Sequence, residues 1–181
     1  MQTRKRTSKS RTFASGWIAV LGLLIGCQSA PDLSGVWVVD KERSSNLEPW
    51  RSIDLRISVS DDEVSIGRFF SAGRETRHDS VSFPVDGTQI ELPMEGSAKW
   101  LEQPHLGVFI DGKTPQQIRA NWETPGHALS VQRLVTLETS QGSATVEILC
   151  QYSLSEDGSE LTVVEERSSR PNPLTYVYTR K

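Results

Sequence analysis

From Arg51 onward, apolar side chains recur at every second position, and this period governs what the chain can become. Ile53, Leu55, Ile57 and Val59 alternate with Asp54, Arg56 and Ser58. Val81, Phe83 and Val85 repeat the pattern, as do Ile90, Leu92 and Met94, and then Ile118, Ala120 and Trp122. Leu129, Val131, Val135 and Leu137 share one phase, and a longer run carries Ala144, Val146, Ile148, Cys150, Tyr152 and Leu154. Neighbouring residues of an extended strand point to opposite faces, so a period of two describes strands with one buried face. No stretch of a dozen residues has helical periodicity, although 41–50 and 97–106 each leave room for a short helical turn.

Three Asp-Gly pairs punctuate these runs: Asp86-Gly87, Asp111-Gly112 and Asp157-Gly158. Glycine accepts the positive φ of a tight hairpin turn, and Asp-Gly is a favoured pair there. Pro171-Asn172-Pro173 breaks the chain before a last strand from Leu174 to Arg180. About eight to ten one-sided strands must cover their apolar faces, which a barrel or a two-sheet sandwich achieves. Hairpin-length connections predict an all-β fold, an antiparallel up-and-down barrel.

The first 26 residues follow a different logic. Arg4, Lys5, Arg6, Lys9 and Arg11 precede an apolar stretch, Phe13 to Gly26, of only 14 residues. A membrane-spanning helix needs roughly 20. A basic start and a short apolar middle ending in small residues mark a secretory signal peptide. Leu24-Ile25-Gly26-Cys27 resembles the lipobox of bacterial lipoproteins. That resemblance implies cleavage before Cys27 and attachment of diacylglycerol to its thiol, and two or more acyl chains give stable anchoring. Gln28, rather than Asp, follows the cysteine. By the same resemblance the protein belongs to the cell envelope, on the outer membrane facing the periplasm. The expected organisation is therefore a signal peptide (1–26), a lipidated tether (27–34) and one β-barrel domain (35–181).

Removing the leader leaves 15 basic against 23 acidic residues, a net charge of −8. Such a domain repels phosphate backbones and lacks a polybasic face for anionic lipid, so no nucleic acid is expected and the lipid on Cys27 is the membrane contact. Cys27 and Cys150 are the only cysteines. With Cys27 lipidated, Cys150 has no partner and reads as a small buried apolar residue.

Leu33-Ser34-Gly35-Val36-Trp37, with Asp40 and Ser44 following, resembles the opening of small bacterial lipocalin-like proteins. Tyr152-Ser153-Leu154, Asp157-Gly158, Leu161-Thr162-Val163 and Tyr176 to Arg180 are similar to that group's closing strands. The resemblance implies a barrel plugged at one end by Trp37, with Arg180 or Arg167 packed across the indole. It carries no specific activity, since no Thr-Asp-Tyr motif and no disulfide are present.

Strand phase also marks candidate site residues. Arg133 shares the face of Leu129 and Val135; Glu165 and Arg167 share that of Leu161 and Val163; Tyr176 and Tyr178 are in phase with Leu174. Charge inside an apolar barrel must pair, reach water or meet a ligand. One reading has Arg133, helped by Tyr176 or Tyr178, receive an anionic head group of a small amphipathic or hydrophobic ligand. The alternative is a structural Arg133–Glu165 pair in a filled core, in a lipoprotein that docks another envelope component through its outer face. A hydrolase-type enzyme comes third. His78, His105 and His127 show no metal-ligand spacing, and His78 is out of phase with Val81 and Phe83, hence outward. No nucleophile elbow or phosphate-cradling loop is present, and Glu165 and Glu166 point to opposite faces. No cofactor is implied. Trp50 and Trp100 fall in loop-like stretches suited to capping a barrel mouth.

Overall fold

The computed structural model describes residues 32–93, 109–110 and 113–181. Eleven strands run in chain order: β1 Gly35–Asp40, β2 Ser52–Val59, β3 Glu63–Ala72, β4 Glu75–Pro84, β5 Asp86–Leu92, β6 Phe109–Ile110, β7 Gln116–Thr124, β8 Ala128–Thr139, β9 Gly142–Leu154, β10 Glu160–Arg167 and β11 Leu174–Arg180. No helix occurs among the described residues.

All strands belong to one antiparallel sheet ordered β4-β3-β2-β1-β11-β10-β9-β8-β7-β5, with the two-residue β6 added to β8. From β1 the path runs one way through β2 and β3 to β4, and from β11 the other way through β10, β9, β8 and β7 to β5. The two arms join where β1 pairs with β11, setting Trp37 opposite Arg180 and Asp40 opposite Val177. β4 lies alongside β7 and β5 without a backbone ladder, so the barrel is nearly closed, with its one seam there. Ten strands in up-and-down order match the expected architecture.

The alternating residues turn inward as their phase requires. Leu55, Ile57, Phe83, Ile118, Leu129, Val131, Val135, Val146 and Ile148 are all buried in one core cluster. Trp122 is only partly buried against that cluster.

Four local expectations need correction or completion. Asp86-Gly87 does not close a hairpin. The chain bends at Val85 and Asp86 already opens β5, which pairs with β7 and not with β4. Gly87 supplies a positive φ (82°) there, where the β5–β7 register shifts. Residues 41–50 form bends and a turn rather than a helical turn. A strand over 63–72 was not foreseen. Finally, residues 32–34 are docked rather than a free tether: Leu33 is fully buried and its N–H donates to the Gly126 carbonyl at 3.0 Å. Asp157-Gly158 does turn β9 into β10, with Gly158 at φ 71°. Asp111-Gly112, Met94 and the 97–106 segment lie outside the described residues, as do Trp100, His105 and the whole leader with Cys27.

The barrel has two unlike ends. One gathers residues 32–34, the β2–β3 turn, the β7–β8 turn, the β9–β10 turn and the C-terminus. Trp37, fully buried, fills this end. Its indole N–H donates to the Leu33 carbonyl at 3.0 Å. The Arg180 guanidinium lies 4.3 Å from the Trp37 ring and donates to the carbonyls of Gly158 (2.7 Å), Asp32 (2.8 Å) and Ser34. Arg180, not Arg167, is thus the cation across the tryptophan. Gly35 makes the approach possible: a Cβ there would sit 2.8 Å from an Arg180 nitrogen, on backbone at φ 148°. The opposite end carries the β1–β2 loop, the β3–β4 turn, the β8–β9 turn and the β10–β11 loop, and among the described residues the cavity mouth lies there.

Candidate functional site

A cavity of about 90 Å³ occupies the open half of the barrel. Its floor is apolar, with Leu55, Ile66, Phe83, Val131 and Val163 among the lining residues. Its upper wall is polar. Arg133, Glu165, Arg167, Tyr176 and Tyr178, the residues marked by strand phase, all line it. So do Arg68 and Tyr152. At roughly 15 Å³ per water the space holds several waters or a small ligand fragment, well below the roughly 300–1,000 Å³ of a pocket for a drug-sized molecule.

Backbone register places these side chains. Arg133 on β8 and Arg167 on β10 both stand opposite Ile148 of β9, so the two arginines flank one residue on the inward face. Neighbouring strands are about 4.8 Å apart, which puts their backbones about 10 Å apart, within reach of two long side chains sharing one anion. One step deeper, Glu165 stands opposite Cys150, and one step deeper again Val163 stands opposite Tyr152.

The partners differ from the expected Arg133–Glu165 pair. Glu165 Oε1 accepts from Arg167 Nε at 2.6 Å, and both side chains are nearly buried. Arg133 donates from Nε (3.1 Å) and Nη2 (2.8 Å) to Gln116 Oε1, an amide that is itself buried on β7. On the facing wall Arg68 and Asp79 form a two-pronged ion pair between β3 and β4, Nε to Oδ1 at 3.0 Å and Nη2 to Oδ2. Burial works against the Arg68 charge, and the attraction and hydrogen bonds of Asp79 more than restore it, leaving its pKa raised. Among the described residues, Arg68, Arg133, Arg167 and Arg170 line the cavity together with Glu48 and Glu165.

Tyr152 and Tyr178 are 7% and 3% exposed. Both side chains line the cavity. Burial pushes both phenols well above their ordinary pKa, so they remain neutral O–H donors. Cys150 also lines the cavity, its thiol directed to Glu165 Oε2 at 3.9 Å. Burial, reinforced by Glu165, pushes that thiol up to about 12. It stays protonated at neutral pH and is not a nucleophile.

The rim comes from two loops. Trp50, in the β1–β2 loop, tilts against Phe70 with ring centroids 5.1 Å apart, beside Asn46, Leu47 and Glu48. Arg170 comes from the β10–β11 loop. Arg167 and Arg170 also line a shallower outer depression of about 280 Å³ with Glu147, Glu166, Pro171 and Pro173. Arg167 and Arg170 thus stand between the cavity and this outer depression.

Arg68, Asp79, Gln116 and Tyr152 were not singled out from the sequence. Asp79 was accessible, being in phase with Val81 and Phe83, and Arg68 follows Val64 and Ile66 in the same phase. His78 is exposed, as expected, and stacks on the outward Phe69 at 6.2 Å. No group of three or more metal-ligating side chains occurs among the described residues.

No protein-family profile matches the sequence, and no curated protein matches it by sequence. Among solved structures the chain is similar to the REP1-NXSQ fatty acid transporter (13% identity, TM-score 0.47, covering 82% of this chain and 96% of that one). It is also similar to human cRBP IV (13%, 0.47, 83% and 98%). A third is the fatty-acid-binding protein isolated from Manduca sexta (12%, 0.42, 81% and 98%). At such identities the likeness concerns the course of the backbone, and the barrel assignment rests on the strand pairing described above.

Proposed function

We propose that this chain is a non-enzymatic envelope lipoprotein, held on the outer membrane through acylated Cys27, whose barrel binds a small amphipathic molecule with an anionic end. The observation that carries the ligand reading is the convergence of Arg133, Arg167, Tyr152 and Tyr178 on one cavity with an apolar floor. The Tyr152 and Tyr178 hydroxyls on that wall stay neutral and can donate to a ligand oxygen. An anion between Arg133 and Arg167 gains charge-assisted hydrogen bonds, and a short apolar part of the ligand meets the floor of Leu55, Ile66 and Phe83. The cavity volume favours a compact ligand, or one whose tail leaves through the open end. The anchoring reading rests on the spacing of the leader and on Leu24-Ile25-Gly26-Cys27.

The test is titration of the protein with a fluorescent fatty acid and with a short-chain carboxylate. The expected result is saturable binding that weakens at least tenfold in Arg133→Ala. Equal binding in both proteins, or none, overturns the ligand reading.

A second reading, docking of another envelope component, is favoured by one feature of the outer face. Phe69 is 40% exposed, with the Arg56 guanidinium 5.4 Å from its ring and His78 on its other side. Phe69→Ser that leaves ligand titration unchanged while removing a co-purifying protein supports that reading.

A further inference from the structure

We infer that the open end of the barrel faces away from the membrane that carries the Cys27 lipid, so that ligand is exchanged with the aqueous compartment rather than with the anchoring leaflet. The inference rests on the proposed acylation of Cys27 and concerns where the barrel's two ends then lie.

The chain enters the barrel at its plugged end, and it is fastened there. Leu33 is fully buried, and its N–H is bound by the Gly126 carbonyl. The Asp32 and Ser34 carbonyls accept from the two terminal nitrogens of Arg180, and the Leu33 carbonyl accepts from the Trp37 indole. The Ser34 hydroxyl takes the Val59 N–H at 3.1 Å, tying the entering segment to the end of β2. Five successive contacts thus fix the point from which any anchor must start.

Chain length then limits the geometry. Cys27 and Asp32 are five residues apart, a span of at most about 18 Å even when fully extended. The rim residues lie beyond the far end of β2, whose eight residues run roughly 26 Å along the strand, or about 20 Å of barrel height at a tilt of ~40°. A lipid on Cys27 therefore cannot be inserted in a bilayer that also meets the rim head-on. Lying on its side would press a domain of net charge −8 along an anionic surface, which electrostatic repulsion opposes. Upright on its plugged end, the barrel presents Trp50, Asn46, Glu48 and Arg170 to water. The residue that plugs the barrel and the residue that fastens its anchor are then one assembly, Trp37 with Arg180. A ligand at Arg133 and Arg167 is loaded or collected by a soluble donor or a partner across the compartment.

The experiment uses the mature protein purified from its host membrane and reconstituted in phosphatidylcholine–phosphatidylglycerol vesicles containing a nitroxide-headgroup lipid. Asp61→Cys at the plugged end and Asn46→Cys at the rim are each labelled with a small fluorophore, with Cys150 buried and protonated. The expected result is quenching at least twofold stronger at position 61 than at position 46. Equal or stronger quenching at 46 in a chain that floats with the vesicles overturns the inference alone. A chain that fails to float and has no acyl mass on Cys27 overturns the anchoring reading, and this inference with it.

Discussion

Glu165 and Arg167, two residues apart on one strand, form an ion pair of 2.6 Å inside the barrel, and the side chains are only 12% and 13% exposed. Residues two apart on a strand share a face, so this pair is built by local geometry alone. Arg167 is thereby held at the cavity wall opposite Ile148, level with Arg133 on the other side. Glu165 acts as a resident counter-ion for Arg167 at the cavity wall.

Removing one partner leaves the other charged in a nearly buried place, which costs more than the pair itself contributes. Arg167→Ala is expected to destabilise the fold by roughly 3 kcal/mol, and Arg167→Ala with Glu165→Gln to recover at least half of that. Urea unfolding of wild type and both variants measures this. A double variant no more stable than the single one contradicts it.

Glu165→Gln alone is expected to raise affinity for a carboxylate ligand several-fold, because the ligand no longer competes with a built-in carboxylate for Arg167. The fluorescent fatty acid titration reads this directly, and weaker binding would refute it.

At the plugged end, Arg180→Ala loses the contact with Trp37 and three hydrogen bonds to carbonyls. The expected loss is about 1–3 kcal/mol, or a Tm lower by roughly 3–10 °C for a domain of this size. Arg180→Lys keeps the charge but not the planar fork, and should recover less than half. Gly35→Ala should cost a similar amount, about 1–3 kcal/mol, because the new Cβ meets Arg180 on backbone that L-residues avoid. Calorimetry on the three variants checks both statements.

Asp157 in the β9–β10 turn accepts from Ser155 Oγ, from Ser159 Oγ and from the Ser159 N–H, which lower its pKa from 3.8 to about 2. Its folded pKa is below its unfolded one. Its stabilising effect is therefore fully present above about pH 4 and is lost as pH falls through about 2. Asp157→Asn should flatten the stability profile across that window and leave its shape unchanged above pH 5, as followed by tryptophan fluorescence.

With its thiol pushed up to about 12 by burial, Cys150 should resist Ellman's reagent for hours at pH 8 in the native protein and react within minutes in denaturant. Fast native reaction would show that the open end admits the reagent to the cavity wall.

The strand faces were legible in the sequence because side-chain alternation is a local property of extended backbone. Arg133, Glu165, Arg167, Tyr176 and Tyr178 were placed inward on that ground, and the barrel puts all five on one cavity. A cation across Trp37, from Arg180 or Arg167, came from resemblance at the two chain ends, and β1 beside β11 makes it Arg180. β3 was missed because its inward positions carry Arg68 and its outward ones Phe69, so Phe69-Phe70 hides the alternation. Asp86-Gly87 was misjudged because a pair that suits a hairpin also suits a bend, and only the next strand's partner distinguishes them.

Which groups meet was a different matter. Arg133 turned to Gln116 and Glu165 to Arg167, while Arg68 found Asp79 across a ladder. Those choices depend on register between strands distant in the chain and on how much space the apolar floor leaves. The alternation of residues determined a one-sided sheet and which side chains face its interior. Closure of that sheet decided whether the interior is solid or hollow and which charges neutralise each other, because these depend on distances between strands that no local pattern encodes.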